Sequence, residues 1–171
     1  CSRDWSSDVC SSDLNMEKRD LIVFPHRIAP EKQVEIFRDL KERLPQYEFV
    51  VCQDQQLTKN EYHNLLGEAK LVFSANLQET LGISMYEGAL VDAIPLVPDR
   101  LSYQEMFMDH FKYPSHWTES WNHYIANRTE LCNRIVYLMT NYNQLVSRIN
   151  ANAQTLTSRF FSANALLENI K

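Results

Sequence analysis

The sequence predicts an α/β fold, a mostly parallel sheet with flanking helices. Three observations carry that prediction. Short apolar runs at residues 21–25, 47–52, 70–75 and 94–97 read as buried strands, and stretches with apolar residues at helical spacing lie between them. Proline or a Ser/Thr-x-x-Glu pair falls at the start of several of the helical stretches. Strands alternating with helices give β-α-β units, and such units build a parallel sheet.

In order along the chain, residues 21–25 form a short buried strand. Residues 31–44 follow as a helix, with apolar Val34, Ile36, Phe37, Leu40 and Leu44 close to helical spacing and Pro30 just ahead of it. Residues 47–52 are rich in aromatic and β-branched side chains, which suit a second strand. Thr58 with Glu61 forms a capping-box pattern that opens a helix to about Ala69, and the third strand covers residues 70–75. A loop containing Glu79 leads to a helix over 83–91. A fourth strand over 94–97 ends at Pro98. Ser102 with Glu105 reads as another capping box, for a helix over 103–108. Residues 109–120 form an ordered loop with an edge strand at 111–113. Asn127 and Glu130 open a helix to about Thr140, and apolar Leu145, Ile149, Leu156, Phe160, Leu166 and Ile170 give one or two further helices.

Residues 1–14 stand apart. Ser-Ser-Asp occurs twice there, at Ser6-Ser7-Asp8 and Ser11-Ser12-Asp13, with neither apolar periodicity nor a helix cap. The stretch resembles a translated sequencing-adapter read-through from a metagenomic assembly, and it lacks the apolar core of a secretory signal. It is expected to be a disordered artefact, with upstream coding sequence lost at the junction. The remaining residues, 15–171, suffice for one domain with a real core.

The formal charge of the whole chain is −5. Without the tail's Arg3, Asp4, Asp8 and Asp13 it stays mildly acidic, which gives no global footprint for nucleic acid. Of the four cysteines, Cys52 and Cys132 lie beyond the tail and lack CxxC spacing, so they read as buried thiols of a reducing cytoplasm. No apolar stretch has the length of a transmembrane helix.

Two constellations carry chemistry. Glu79 and Glu87 flank Gly82 in the run Ser74-Ala-Asn-Leu-Gln-Glu79-Thr-Leu-Gly82-Ile-Ser-Met-Tyr-Glu87, directly after the third strand. Backbone amides from Thr80 to Ser84 then lie at a helix start, where unpaired N–H groups favour an anion. Gly82 permits a ligand to approach the backbone closely. A carboxylate only accepts hydrogen bonds, so it suits the vicinal hydroxyls of a ribose or a sugar. The plain alternative is two solvated glutamates. After the first strand, Arg27-Ile-Ala-Pro-Glu-Lys32 sets two cations across a turn. They could stabilise the charge that develops on a departing diphosphate, or Arg27 could simply pair with Glu31 and Lys32 face solvent. Both constellations sit at the carboxyl ends of predicted strands, the edge where open α/β sheets bind ligands.

These residues resemble a family. Arg27 to Lys32 is similar to the R-x4-K segment of retaining GT-B glycosyltransferases, and Glu79 to Glu87 matches their E-x7-E motif, in the family's order and with the internal glycine in place. The resemblance runs from about Leu21 to the C-terminal helices. It implies a Rossmann-like, donor-binding C-terminal domain, with the N-terminal acceptor domain missing from this chain. It further implies that Arg27 and Lys32 hold the diphosphate of a nucleotide-sugar, Glu79 the sugar hydroxyls and Glu87 the ribose diol, with the amides of Leu81 and Gly82 near the phosphates. No metal or other cofactor is implied. The run Pro95-Leu-Val-Pro98-Asp-Arg100-Leu-Ser-Tyr103-Gln-Glu105 is similar to segments of the tRNA-queuosine mannosyltransferase-like branch and of phage-encoded glycosyltransferases. The donor base and sugar stay open, as does the acceptor, which could be a glycan, a lipid, tRNA or modified DNA.

Asp92 stands where the family often has glycine, and the stretch from Cys52 to Leu71 is too short for the usual extra βα unit, which often helps hold the nucleobase. His26 could approach a phosphate or pack the strand end. His110, His116 and His123 have no zinc-ligand spacing. The aromatic residues from Phe107 to Tyr124 are expected to pack the C-terminal helices, with a stacking platform as the alternative. Two other functions remain open: a GT-B sugar-nucleotide epimerase, and a non-enzymatic nucleotide-binding domain.

Overall fold

The structure, a computed structural model, describes residues 17–162; the expectations for residues 1–14 and for a helix through Leu166 and Ile170 lie outside them. Five parallel strands form one sheet in the order β2-β1-β3-β4-β5: β1 (Arg19–Phe24), β2 (Glu48–Val51), β3 (Ala69–Phe73), β4 (Ile94–Pro98) and β5 (Lys112–Tyr113). The helices are α1 (Val34–Arg43), α2 (Lys59–Glu68), α3 (Ile83–Leu90), the one-turn α4 (Tyr103–Met106), α5 (Trp121–Thr140) and α6 (Tyr142–Leu156). The predicted α/β class with a Rossmann-like parallel sheet is the observed one. Among the described residues no helix is long and apolar enough to cross a membrane.

β1 lies inside the sheet, and Leu21, Ile22, Val23 and Phe24 are all fully buried, the continuous apolar run of a strand covered on both faces. Side chains alternate across the sheet with period two. Ile22 and Phe24 join Phe37, Leu40, Phe73, Ile135 and Leu138 in one core, under α1 and α5. Leu21 and Val23 join Leu66, Val72, Met85 and Tyr103 in the other, under α2 and α3. Gly88 lets α3 lie close on β3, since a Cβ there would fall 2.6 Å from Val72 Cγ2.

From β1 the chain runs through α1 to β2 on one side, then crosses back through α2 to β3 on the other. The β1/β3 boundary is therefore the topological switch point, outside whose carboxyl edge doubly wound sheets bind ligands. Between β2 and β3 lie a 3-10 turn (Cys52–Gln55) and α2. The order equals the six-stranded 3-2-1-4-5-6 arrangement with its outermost strand removed, as the short stretch after Cys52 predicts.

Two helix starts and one cap differ from expectation. The first helix begins at Val34 rather than residue 31, because Pro30–Lys32 form a separate 3-10 turn and Gln33 adopts a left-handed backbone (φ 52°) between the two. The Thr58–Glu61 capping box forms as read, but the Ser102–Glu105 pair does not: Ser102 is itself helical in backbone and its Oγ is buried without a partner. Helix α5 starts at Trp121, not Asn127, since Ser120 Oγ accepts from the His123 amide and caps it. Asn127 instead donates from Nδ2 to His123 O. Asp92, at the position where glycine is common, does adopt a positive φ of 63°. Phe107, Phe111, Tyr113 and Tyr124 are buried and pack the cores as expected, whereas Trp117 is partly buried and Trp121 is exposed. Cys52 and Cys132 are half-buried free thiols, and burial pushes the Cys52 thiol up to about 12.

Candidate functional site

The loops after β1 and β3 are bound to one another before any side chain reaches the surface. The Leu77 amide donates to Glu31 O at 2.7 Å. Gln33, buried, donates from Nε2 to Ala75 O (2.6 Å) and Thr118 O (2.7 Å). Arg100 directs its guanidinium at the carbonyls of Ala75, Asn76, Ser115 and Thr118 and at Thr118 Oγ1. Backbone carbonyls of an irregular loop are thereby satisfied by side chains, which lets the loop run buried rather than frayed.

On this support, Lys32 and Glu79 meet. Lys32 Nζ lies 3.1 Å from Glu79 Oε2 and 3.0 Å from Gln78 O, with only 11% of the lysine and 15% of the glutamate side chain exposed. Asn76 Nδ2 donates to the same carboxylate oxygen at 2.8 Å and to Tyr103 Oη at 3.1 Å, and Tyr103 Oη lies 3.1 Å from Ser74 Oγ. The other oxygen, Glu79 Oε1, accepts from the amides of Thr80 (3.1 Å) and Gly82 (3.2 Å). Burial by itself would raise the Glu79 carboxyl; the Lys32 ammonium and the Gly82 amide outweigh it and hold the group below its ordinary value.

This corrects two readings. The Gly82 amide, assigned to phosphate, is bound to Glu79, as is that of Thr80; the amides of Leu81, Ile83 and Ser84 are the ones with no acceptor among the described residues. Gly82 is also needed for a reason other than ligand approach. It caps α3 in a left-handed conformation (φ 58°), and a Cβ there would lie 2.7 Å from Tyr103 Cε1. Of the plain alternatives, Arg27 does pair with Glu31 and is 72% exposed, whereas Lys32 is not a surface residue.

All six residues singled out by the motifs, Arg27, Lys32, Glu79, Leu81, Gly82 and Glu87, line one cleft of about 380 Å³ above the β1/β3 switch point. A second groove of about 450 Å³ lies above β1 and β2, between the 3-10 turn at Cys52–Gln55 and the start of α2. The two share Pro25, His26 and Arg27. They are also joined by a hydrogen bond from Tyr62 Oη, in the second, to Glu87 Oε2, in the first, at 2.9 Å.

His26 sits between them, buried, with Nδ1 3.2 Å from Ser84 Oγ and Nε2 without a partner among the described residues. Burial, reinforced by Lys32 and opposed by Glu79, pulls its pKa down to about 4, so the ring is neutral at pH 7. Asn76, Arg100, Tyr103 and Tyr62 were not singled out from the sequence. Arg100 and Tyr103 fell inside a quoted run, but nothing in their spacing announced a shared contact.

The fold and cleft define a doubly wound, Rossmann-like domain with a cationic, carboxylate-bearing site at its switch point. A scan of protein-family models finds no match for the chain, and a search of curated proteins finds none either.

Proposed function

We propose that this domain is the donor-binding half of a cytoplasmic, metal-independent, retaining glycosyltransferase of the GT-B class. The observation that carries the reading is the meeting of R-x4-K and E-x7-E in one cleft at the sheet's switch point, with Lys32 and Glu79 in direct contact. In this reading Arg27 and Lys32 bind the donor diphosphate. Arg27 is held by an exposed ion pair worth little, so a phosphate can recruit it readily. The open amides of Leu81, Ile83 and Ser84 at the start of α3 add donors to the same anion.

As the glycosidic C–O bond breaks, negative charge grows on the leaving phosphate oxygen. Lys32, largely shielded from water and fixed by Glu79 and Gln78, stabilises it without reorganising. Glu79 already accepts from Lys32, Asn76, Thr80 and Gly82, so in this reading it meets a sugar hydroxyl by exchanging one of those bonds, whereas Glu87 has an open oxygen for the ribose diol. The domain supplies the donor side; selection of the acceptor lies elsewhere.

Titration calorimetry with UDP, GDP and ADP tests this. At least one should bind, and Glu87→Ala should weaken that binding by about 1.5–3 kcal/mol while the fold persists. The chain alone should bind donor yet transfer no sugar. Failure of all three nucleotides to bind would remove the reading, and efficient transfer by this chain would overturn its donor-half assignment.

A further inference from the structure

Tyr62 belongs to neither motif, yet it joins the two grooves. Its ring lines the second groove, while its hydroxyl reaches Glu87 in the first and donates to Oε2 at 2.9 Å. A phenol carries one proton, so this donation fixes the direction of the bond and the setting of the carboxylate. Glu87 Oε1 has no partner among the described residues, and the phenol oxygen keeps its lone pairs. Burial and the neighbouring Glu87 charge hold the phenol's ionisation far above its ordinary value, so the proton stays in place across the working pH range.

We infer that Tyr62 is a positioning residue that makes the cleft selective for ribonucleotides over deoxyribonucleotides, by clamping Glu87 with Oε1 presented to a vicinal diol. The inference rests on the nucleotide-sugar reading above. A glutamate on an exposed helix turn samples several rotamers and loses that freedom when it binds. One held in advance by a partly buried phenol has already lost it, and such preorganisation raises affinity for the group it faces. A site built to bind a hydroxyl also disfavours the analogue lacking it, because its acceptor then gains no partner from the ligand.

The test is calorimetric titration of the full chain and of Tyr62→Phe with UDP, GDP and ADP and with their 2′-deoxy forms. The wild type should prefer its best ribonucleotide by about tenfold or more. Tyr62→Phe keeps the ring and loses the donor; it should cut that preference to about twofold, mainly through weaker ribonucleotide binding. Equal weakening of both forms would show a mere latch between α2 and α3, and an unchanged preference would show that Glu87 needs no clamp; either overturns the inference. Should Tyr62→Phe fail to fold, Glu87→Gln serves instead. It keeps an acceptor for Tyr62 but turns a donor toward the diol, so the preference should collapse, and its survival would overturn the inference. If the wild type binds a ribonucleotide and its deoxy form equally, the inference falls alone; if it binds no nucleotide, the nucleotide-sugar reading falls with it.

Discussion

Strand β1 has one ion-pair cluster at its amino end and another past its carboxyl end, and the two are built differently. At the amino end, Arg19 bridges Glu48 (2.6 Å) and Glu68 (2.7 Å), with the arginine and Glu48 side chains 47% and 48% exposed. Past the carboxyl end, Lys32 and Glu79 pair at 3.1 Å with most of both side chains covered. The exposed cluster gains little from Coulomb attraction in water. The covered pair costs desolvation that its attraction offsets only with additional hydrogen bonds, here from Asn76, Thr80 and Gly82 to Glu79 and from Lys32 to Gln78. Packed apolar residues would stabilise the fold as well. A covered pair beside a cleft is the costlier construction, and its use lies in charge held ready for a ligand.

The largest expected effect comes from breaking that pair. Lys32→Ala leaves Glu79 uncompensated and should destabilise the domain by about 3 kcal/mol in chemical denaturation. Nucleoside diphosphate binding should fall by about a hundredfold. The double variant Lys32→Met with Glu79→Gln sharpens the contrast. It removes both charges while an amide oxygen still accepts from Thr80 and Gly82, so stability should largely return and binding should not. Recovery of binding in that variant would show that the pair is structural only.

The next effect is a pH dependence between 6.5 and 4 that arises at the carboxyl end. The folded-state pKa of His26 is depressed to about 4 from an ordinary 6.5, so between those values the unfolded chain binds a proton that the folded one refuses. Stability contributed by neutral His26 is thus complete above pH 6.5 and is lost as pH falls toward 4, by on the order of 3 kcal/mol in all. Glu79, depressed in the same way as a carboxylate, adds a loss at more acid pH as it protonates. Denaturation curves of His26→Phe should lack the slope between pH 6.5 and 4 while keeping the more acid one. An unchanged slope would locate the titration elsewhere.

The smallest effect belongs to the amino end. Arg19→Ala should cost no more than about 1 kcal/mol and leave nucleotide binding unchanged. A loss as large as that of Lys32→Ala would erase the distinction between the two ends.

Much of this was open to reading in the sequence, for a physical reason. The strands of a doubly covered sheet must be apolar on both faces, so Leu21 to Phe24 and Ile94 to Val97 could be seen as they stand. The motif residues could be placed because they follow β1 and β3 in the chain. What escaped was any feature set by contact between distant segments. Ser102 has a capping sequence, but Tyr103 is drawn into the core, and the serine hydroxyl ends buried without a partner. Ser120 lacks the acidic partner that marks a capping box, yet it caps α5. Gln33 looks like an ordinary helix residue, and only the carbonyls of Ala75 and Thr118 explain its left-handed backbone and buried amide. The Thr80 and Gly82 amides looked open because nothing local shows that Glu79 turns back onto them.

The contact between Gly82 and the Tyr103 ring bears on how relatives of this chain should be sorted. Position 82 is fixed by a backbone that side chains resist and by a ring already standing where a Cβ would go. Selection for a folded protein would preserve that glycine even in a descendant that had abandoned its substrate. Its presence in a distant sequence therefore attests common architecture and says nothing of retained activity. Lys32 and Glu79 are the opposite kind of marker: a lineage freed from ligand binding could exchange them for an uncharged pair that still offers the Thr80 and Gly82 amides an acceptor, without loss of fold. A survey that weighs those two positions above the glycine would separate working descendants from inert ones.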